Sequence, residues 1–157
     1  MKRTLAIATV AIVLATLVAA CDHRQLYAES HRVEEHGWPS SEWLEFGTDI
    51  DDTLAVCNFL VDLRVSQTYP YSNSFLFITT TFPDGSVAAD TMECPLAAPD
   101  GQWLGRRTGR YVDNRYYFRK NMRFPMAGHY RFSVGHGMRD TAIKGIKDVG
   151  LRIELAK

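Results

Sequence analysis

The chain has 157 residues with 18 basic and 18 acidic groups, a balance that excludes a protein built to coat nucleic acid, because such proteins carry a clustered positive excess. Its 46% hydrophobic content and its length suit one packed domain. The three cysteines show no CxxC spacing, which excludes the common zinc frameworks.

Residues 1–20 read as a lipoprotein signal peptide: Lys2 and Arg3 head an uncharged apolar run from Leu5 to Ala20, and Val18-Ala19-Ala20 stand directly before Cys21. That run is shorter than the ~18 or more residues expected of a spanning helix, and small residues precede the cysteine where a signal peptidase must grip the chain. The mature protein is therefore expected to start at Cys21, with membrane lipid joined to its thiol, since two or more acyl chains hold a protein stably where one does not. Without Lys2 and Arg3, 16 basic groups face 18 acidic ones.

Residues 21–41 are polar, show neither alternation nor a helical stripe, and read as a tether. From 42 to 157 the pattern is that of strands. Ala55, Cys57, Phe59, Val61, Leu63 and Val65 alternate with residues that become polar toward Asp62 and Arg64, which predicts a strand with one buried face. Ser74 to Phe82 is rich in aromatic and β-branched residues and ends at Pro83-Asp84-Gly85, where proline presets φ and glycine accepts positive φ, so a hairpin is expected. The return strand runs from Val87 past Met92, Cys94 and Leu96 to a second turn at Pro99-Asp100-Gly101. Tyr111 to Phe124 predicts a strand region broken at Asp113-Asn114. A third turn at Phe124 to Gly128 precedes the alternation of Tyr130, Phe132 and Val134, and Val149, Leu151 and Ile153 form a closing strand. Met138 to Lys147 has room for a single helical turn. Seven to nine short strands predict an all-β fold, a two-sheet antiparallel β-sandwich wound as a jelly roll.

Cys57 and Cys94 both fall on apolar faces, as one disulfide or as two buried thiols. Ten acids against Arg24 and Arg32 lie between Asp22 and Asp62, whereas eight basic residues between Arg106 and Arg131 face Asp113 alone. Complementary pairing of strands accounts for this, and a basic docking patch for an acidic partner is the alternative. No nucleophile motif, metal-binding histidine pair or phosphate loop is present, so no catalytic residue, cofactor or metal is expected. Asp49, Asp51 and Asp52 offer calcium three carboxylates but lack the rest of an EF-hand loop and read as a solvated turn. His129 and His136 lie at opposite ends of one strand, too far apart to share a metal. Tyr69, Tyr71 and Trp103, in or beside turns, together with Arg106, Arg107 and Arg110, form the candidate interaction surface. Turn aromatics cap a core or stack on a sugar.

Several motifs in one order then resemble a known family: Tyr69-Pro-Tyr-Ser-Asn73, Phe82-Pro-Asp-Gly85, Asp90-Thr91, Pro99-Asp-Gly-Gln-Trp-Leu-Gly105, Phe124-Pro-Met-Ala-Gly-His-Tyr130, Gly137-Met-Arg139 and Gly145-Ile-Lys-Asp-Val-Gly-Leu-Arg-Ile153. The set resembles GldH, a gliding-motility lipoprotein family of Bacteroidetes. The resemblance implies a lipid-anchored, non-enzymatic assembly or scaffold component of the gliding machinery, linked to type IX secretion and placed on the periplasmic face of an envelope membrane. Its partners would be other gliding and secretion envelope proteins, with no nucleic acid among them. Trp103, Gly105, Gly128, Tyr130 and Arg139 match its motifs without an assignable role. The competing expectation is a lipid-anchored glycan-binding β-sandwich using Tyr69, Tyr71 and Trp103.

Overall fold

The computed structural model describes residues 24–157, so the signal peptide and Cys21 lie outside the described residues. Eleven strands follow in order: β1 (Gln25–Arg32), β2 (Trp38–Pro39), β3 (Leu44–Ile50), β4 (Cys57–Ser66), β5 (Asn73–Thr81), β6 (Val87–Pro95), β7 (Arg106–Thr108), β8 (Tyr111–Met122), β9 (Gly128–His136), β10 (Ala142–Ile143) and β11 (Ile146–Leu155). One sheet is ordered β1-β11-β4-β8-β7, the facing sheet β3-β9-β5-β6, and β10 with β2 makes a small third. Successive long strands switch sheets repeatedly, so that β1, β4, β8 and β11 alternate with β3, β5, β6 and β9. This is the double Greek key of a jelly roll.

The period-two pattern sets the core. Cys57, Phe59, Val61, Leu63 and Val65 of β4 are buried, and they face Leu76 and Ile78 of β5 and Tyr130, Phe132 and Val134 of β9. Burying each large apolar side chain contributes about 1.5–3 kcal/mol. The two Pro-Asp-Gly triplets turn as expected: Gly85 and Gly101 have φ of 84° and 83°. Asp84 Oδ1 accepts from the Ser86 amide, and Asp100 Oδ1 from the Gln102 amide.

Three expectations change. Residues 25–32, assigned to the tether, form β1, which pairs along its length with β11. β1 is an edge strand exposed on nearly every residue, with only Tyr27 and His31 half-buried, so it carries no hydrophobic alternation to betray it. β8 is continuous through Asp113 and Asn114, because Asp113 is held by Arg64 of the neighbouring strand and Asn114 turns inward. Met138 to Lys147 contains no helical turn. Ala142 and Ile143 instead pair with Pro39 and Trp38, and Ile143 is fully buried. Cys57 and Cys94 are buried free thiols on different sheets.

Candidate functional site

The strands run between two ends of the sandwich, about 30 Å apart for nine residues at ~3.3 Å each. Arg24 enters at one end, where its carbonyl accepts from the Leu155 amide. The six residues of the predicted interaction surface lie at the other. Tyr69 and Tyr71 follow the end of β4, Trp103 and Arg106 precede or open β7, and Arg107 and Arg110 flank the β7–β8 turn.

A chain of backbone hydrogen bonds assembles these loops. The Gln67 amide donates to the Arg110 carbonyl and the Gln67 side chain to the Gly109 carbonyl, joining the Tyr69 loop to the β7–β8 turn. The Leu96 and Ala97 amides donate to the Ser72 carbonyl, and Ala97 bridges Trp103. The members differ in exposure. Tyr69 is 5% exposed and belongs to the core, and burial pushes its hydroxyl pKa up to about 12. Tyr71 meets it edge-on at 5.7 Å and donates its hydroxyl to Asp140 at 2.6 Å, which raises its own pKa. Trp103 packs half-buried against the core. Arg106, Arg107 and Arg110 are exposed, and the Arg110 guanidinium lies 5.5 Å from the centre of the Tyr111 ring.

Two further features mark this end, the first of them the complementary charge pairing expected from the sequence. From Arg106 inward, a row of alternating charge crosses the outer face of the five-stranded sheet in register: Arg106, Asp113, Arg64, Asp148, Arg32. Arg64 binds Asp113 at 2.7 and 3.3 Å and approaches Asp148 at 3.9 Å. In the next row Asp62 accepts from Arg115 at 2.6 Å and Arg152 at 3.2 Å. A groove of about 1010 Å³ lies along these rows. Arg64 holds the Asp113 carboxyl below the usual carboxylate range, with help from the Thr108 hydroxyl and Arg106. Asp113 and Asp62 in turn raise Arg64 and Arg115. Strand pairing thus absorbs Arg115, whereas Arg107 and Arg110 make no ion pair among the described residues. The signal was present in the sequence: β4 and β8 each carry Asp-x-Arg on the outer face, and antiparallel pairing sets each Asp against an Arg.

The second feature is apolar. On the outer face of the four-stranded sheet, beside the same end, Trp43 and Phe77 are 40% and 41% exposed. A side chain at Gly135 would meet the Trp43 ring at 3.0 Å, and one at Gly137 the Phe77 ring at 2.8 Å. The two glycines leave the space that these rings fill.

Chemically, this end offers exposed aromatics, guanidinium groups and an open strand edge, the composition of a protein interface. Among the described residues no three His, Cys, Asp or Glu side chains converge to hold a metal. Asp49 instead faces His129 at 2.9 Å, and Asp52 accepts from the Leu54 and Ala55 amides.

The family model of the GldH lipoprotein matches residues 25–153. The chain belongs to the GldH lipoprotein family. Within that family it is 32% identical over 145 residues to the gliding motility lipoprotein GldH homolog of Christiangramia forsetii, covering 88% of each chain. It is 28% identical over 150 residues to the gliding motility lipoprotein GldH of Flavobacterium johnsoniae, covering 91% of this chain and 92% of the relative. Among solved structures, a CocE/NonD family hydrolase from Staphylococcus aureus aligns at 13% identity with a TM-score of 0.45, covering 85% of this chain and 34% of the other, a likeness too loose to bear on function. The GldH match starts at the first residue of β1, inside the stretch that reads as a tether.

Proposed function

We propose that this GldH-family lipoprotein is a non-enzymatic assembly factor of the gliding machinery, linked to type IX secretion. It is anchored in an envelope membrane through an acylated Cys21 and faces the periplasm. Its partners are other envelope proteins of that machinery, held at the end of the sandwich remote from the anchor.

One observation carries this reading: the residues singled out from the sequence gather at the end opposite Arg24, together with the exposed rings of Trp43 and Phe77. A domain tethered at one end presents its other end to whatever the membrane brings near, at a raised effective concentration. The exposed cations orient an approaching acidic surface, and the three-residue edge strand β7 leaves backbone groups available for strand addition.

Photo-crosslinkers at Tyr71, Arg107 and Trp43, compared with positions at Leu54 and Val87 of the opposite end, test the reading in the native envelope. Gliding or secretion proteins are expected on the first set, with loss at Tyr71 and Trp43 when Arg106, Arg107 and Arg110 are changed to Ala. Equal capture at both ends, or envelope polysaccharide in place of protein, refutes it. Anchoring has its own test: Cys21→Ala abolishes uptake of a palmitate analogue, and undiminished labelling refutes acylation at that residue.

A further inference from the structure

The flank between β6 and β8 contains a second cavity, of different character. Arg119 spans this flank to Asp90 with bonds of 2.9 and 3.0 Å, and the Tyr116 hydroxyl spans it to the Pro95 carbonyl. Toward the end where Arg24 enters, an open-mouthed pocket of about 230 Å³ between the two sheets is lined by Phe59, Phe82, Phe118, Phe124, Tyr130 and Phe132. The rings meet edge to face at 4.8 to 5.9 Å, so each holds its neighbour upright and the space does not collapse. Its walls offer almost no hydrogen bonding. The Tyr130 hydroxyl is already given to the Met126 carbonyl at 2.8 Å.

A pocket with such walls gives water few partners and favours apolar guests, as a closed ~150 Å³ cavity takes benzene. At about 230 Å³ there is room for a longer aliphatic segment. The rim is polar on one side only. Arg119 and Arg123 border the cavity beside Met122. Arg119 is spent on Asp90, whereas Arg123 is exposed and makes no ion pair among the described residues. Apolar depth with one unspent guanidinium at the mouth is complementary to a single-chain amphiphile with an anionic head.

The mouth is also placed to meet such a ligand. Arg24 bonds to Leu155, Leu155 pairs with Cys57, and Cys57 pairs with Met122. Arg24 and Met122 therefore stand in one row, about 14 Å apart at three strand spacings of ~4.8 Å. Cys21 lies three residues before Arg24. We infer that the cavity beneath Arg123 binds the acyl chain of an anionic amphiphile, its head on the Arg123 guanidinium.

The test uses the mature chain, residues 21–157, carrying Cys21→Ser, which can take no lipid on that residue, titrated without detergent with decanoate below its micelle concentration and followed by calorimetry and native mass spectrometry. Saturable binding of one decanoate per chain is expected. Ala88→Phe, which fills the cavity, should abolish it while the thermal transition is retained. Arg123→Glu, at an exposed position, should weaken decanoate about tenfold, the equivalent of one charge-assisted contact, and leave decanol unaffected. Absence of saturable binding, or affinity unchanged by both substitutions, overturns the inference. So does a lipidated wild-type chain that excludes decanoate, since the cavity would then belong to the protein's own acyl group. None of these outcomes touches the cross-linking at the opposite end.

Discussion

Gly105 precedes β7, and replacing it with alanine tests whether the geometry of that edge is as tight as it looks. A Cβ there would lie 2.4 Å from Asn114 Oδ1 and 2.4 Å from the Asp113 carbonyl oxygen, against 3.4 Å for ordinary contact. Clearing the Asp113 carbonyl requires β7 to move outward by about 1 Å, and any smaller shift also forces Asn114 to swing away. Asn114 is buried and donates to the Val112 carbonyl at 3.3 Å, so swinging away leaves an amide unsatisfied. Overpacking costs ~1–3 kcal/mol and an orphaned buried amide a similar amount. About 3 kcal/mol is the expected loss, a fall in Tm of roughly 12 °C for a domain of this size. Gly109→Ala is the control. Nothing lies within 4 Å of its Cβ, and only its φ of +60° resists a side chain, so about 1 kcal/mol and roughly 4 °C are expected. Thermal unfolding followed by circular dichroism reads both. A Gly105→Ala chain melting within about 2 °C of wild type would mean that the β7 edge is not packed on Asn114, and the account of that edge would fail.

Acid should destabilise the protein in two steps. Burial lowers the pKa of His136, so the unfolded chain binds the proton more readily, and stability present above pH ~6.5 is lost as pH falls below it. Asp113, held low by Arg64, contributes stability above pH ~4 that disappears as pH falls through its folded value. His136→Asn should remove the first loss and Asp113→Asn the second, whereas a wild-type Tm that stays flat from pH 7 to 3 contradicts both. The Cys21→Ser chain should show no reactive thiol when folded and two in denaturant without reductant, because Cys57 and Cys94 are fully buried and burial raises Cys94 to about 12. Fewer than two would indicate a bridge. Changing Arg107 and Arg110 to Glu should move Tm by less than about 2 °C, as exposed substitutions do, yet abolish cross-linking at the remote end. A large stability loss would instead make those arginines structural.

The strands that were plain in the sequence are those with one face buried. β4 reports itself through five buried residues at alternate positions, and β5 and β6 through the glycine and proline of their connecting turn. β1 gave no such signal because a strand at the sheet margin buries little on either side. The candidate residues were identifiable singly but not as a group, since hydrogen bonds between loops far apart in sequence bring them together. Tyr69 and Tyr71 illustrate the limit: two tyrosines separated by Pro70, one in the core and one at the surface, with nothing local to say which. The charged rows were legible in part, through the repeated Asp-x-Arg. The cavity was not, because its walls come from five strands and the turns between them.

The margins of the sheets have a consequence of their own. Membrane attachment concentrates copies of a protein in two dimensions, where any open run of backbone donors and acceptors invites stacking into fibres. Here β7 is only three residues long and carries two arginines, β1 displays Glu29 and Arg32, and β6 displays Asp90 and Glu93. Like charges on β7 and on β6 make pairing of either border with its own copy unfavourable at close quarters. The shortest border, β7, stays open to a segment of different composition.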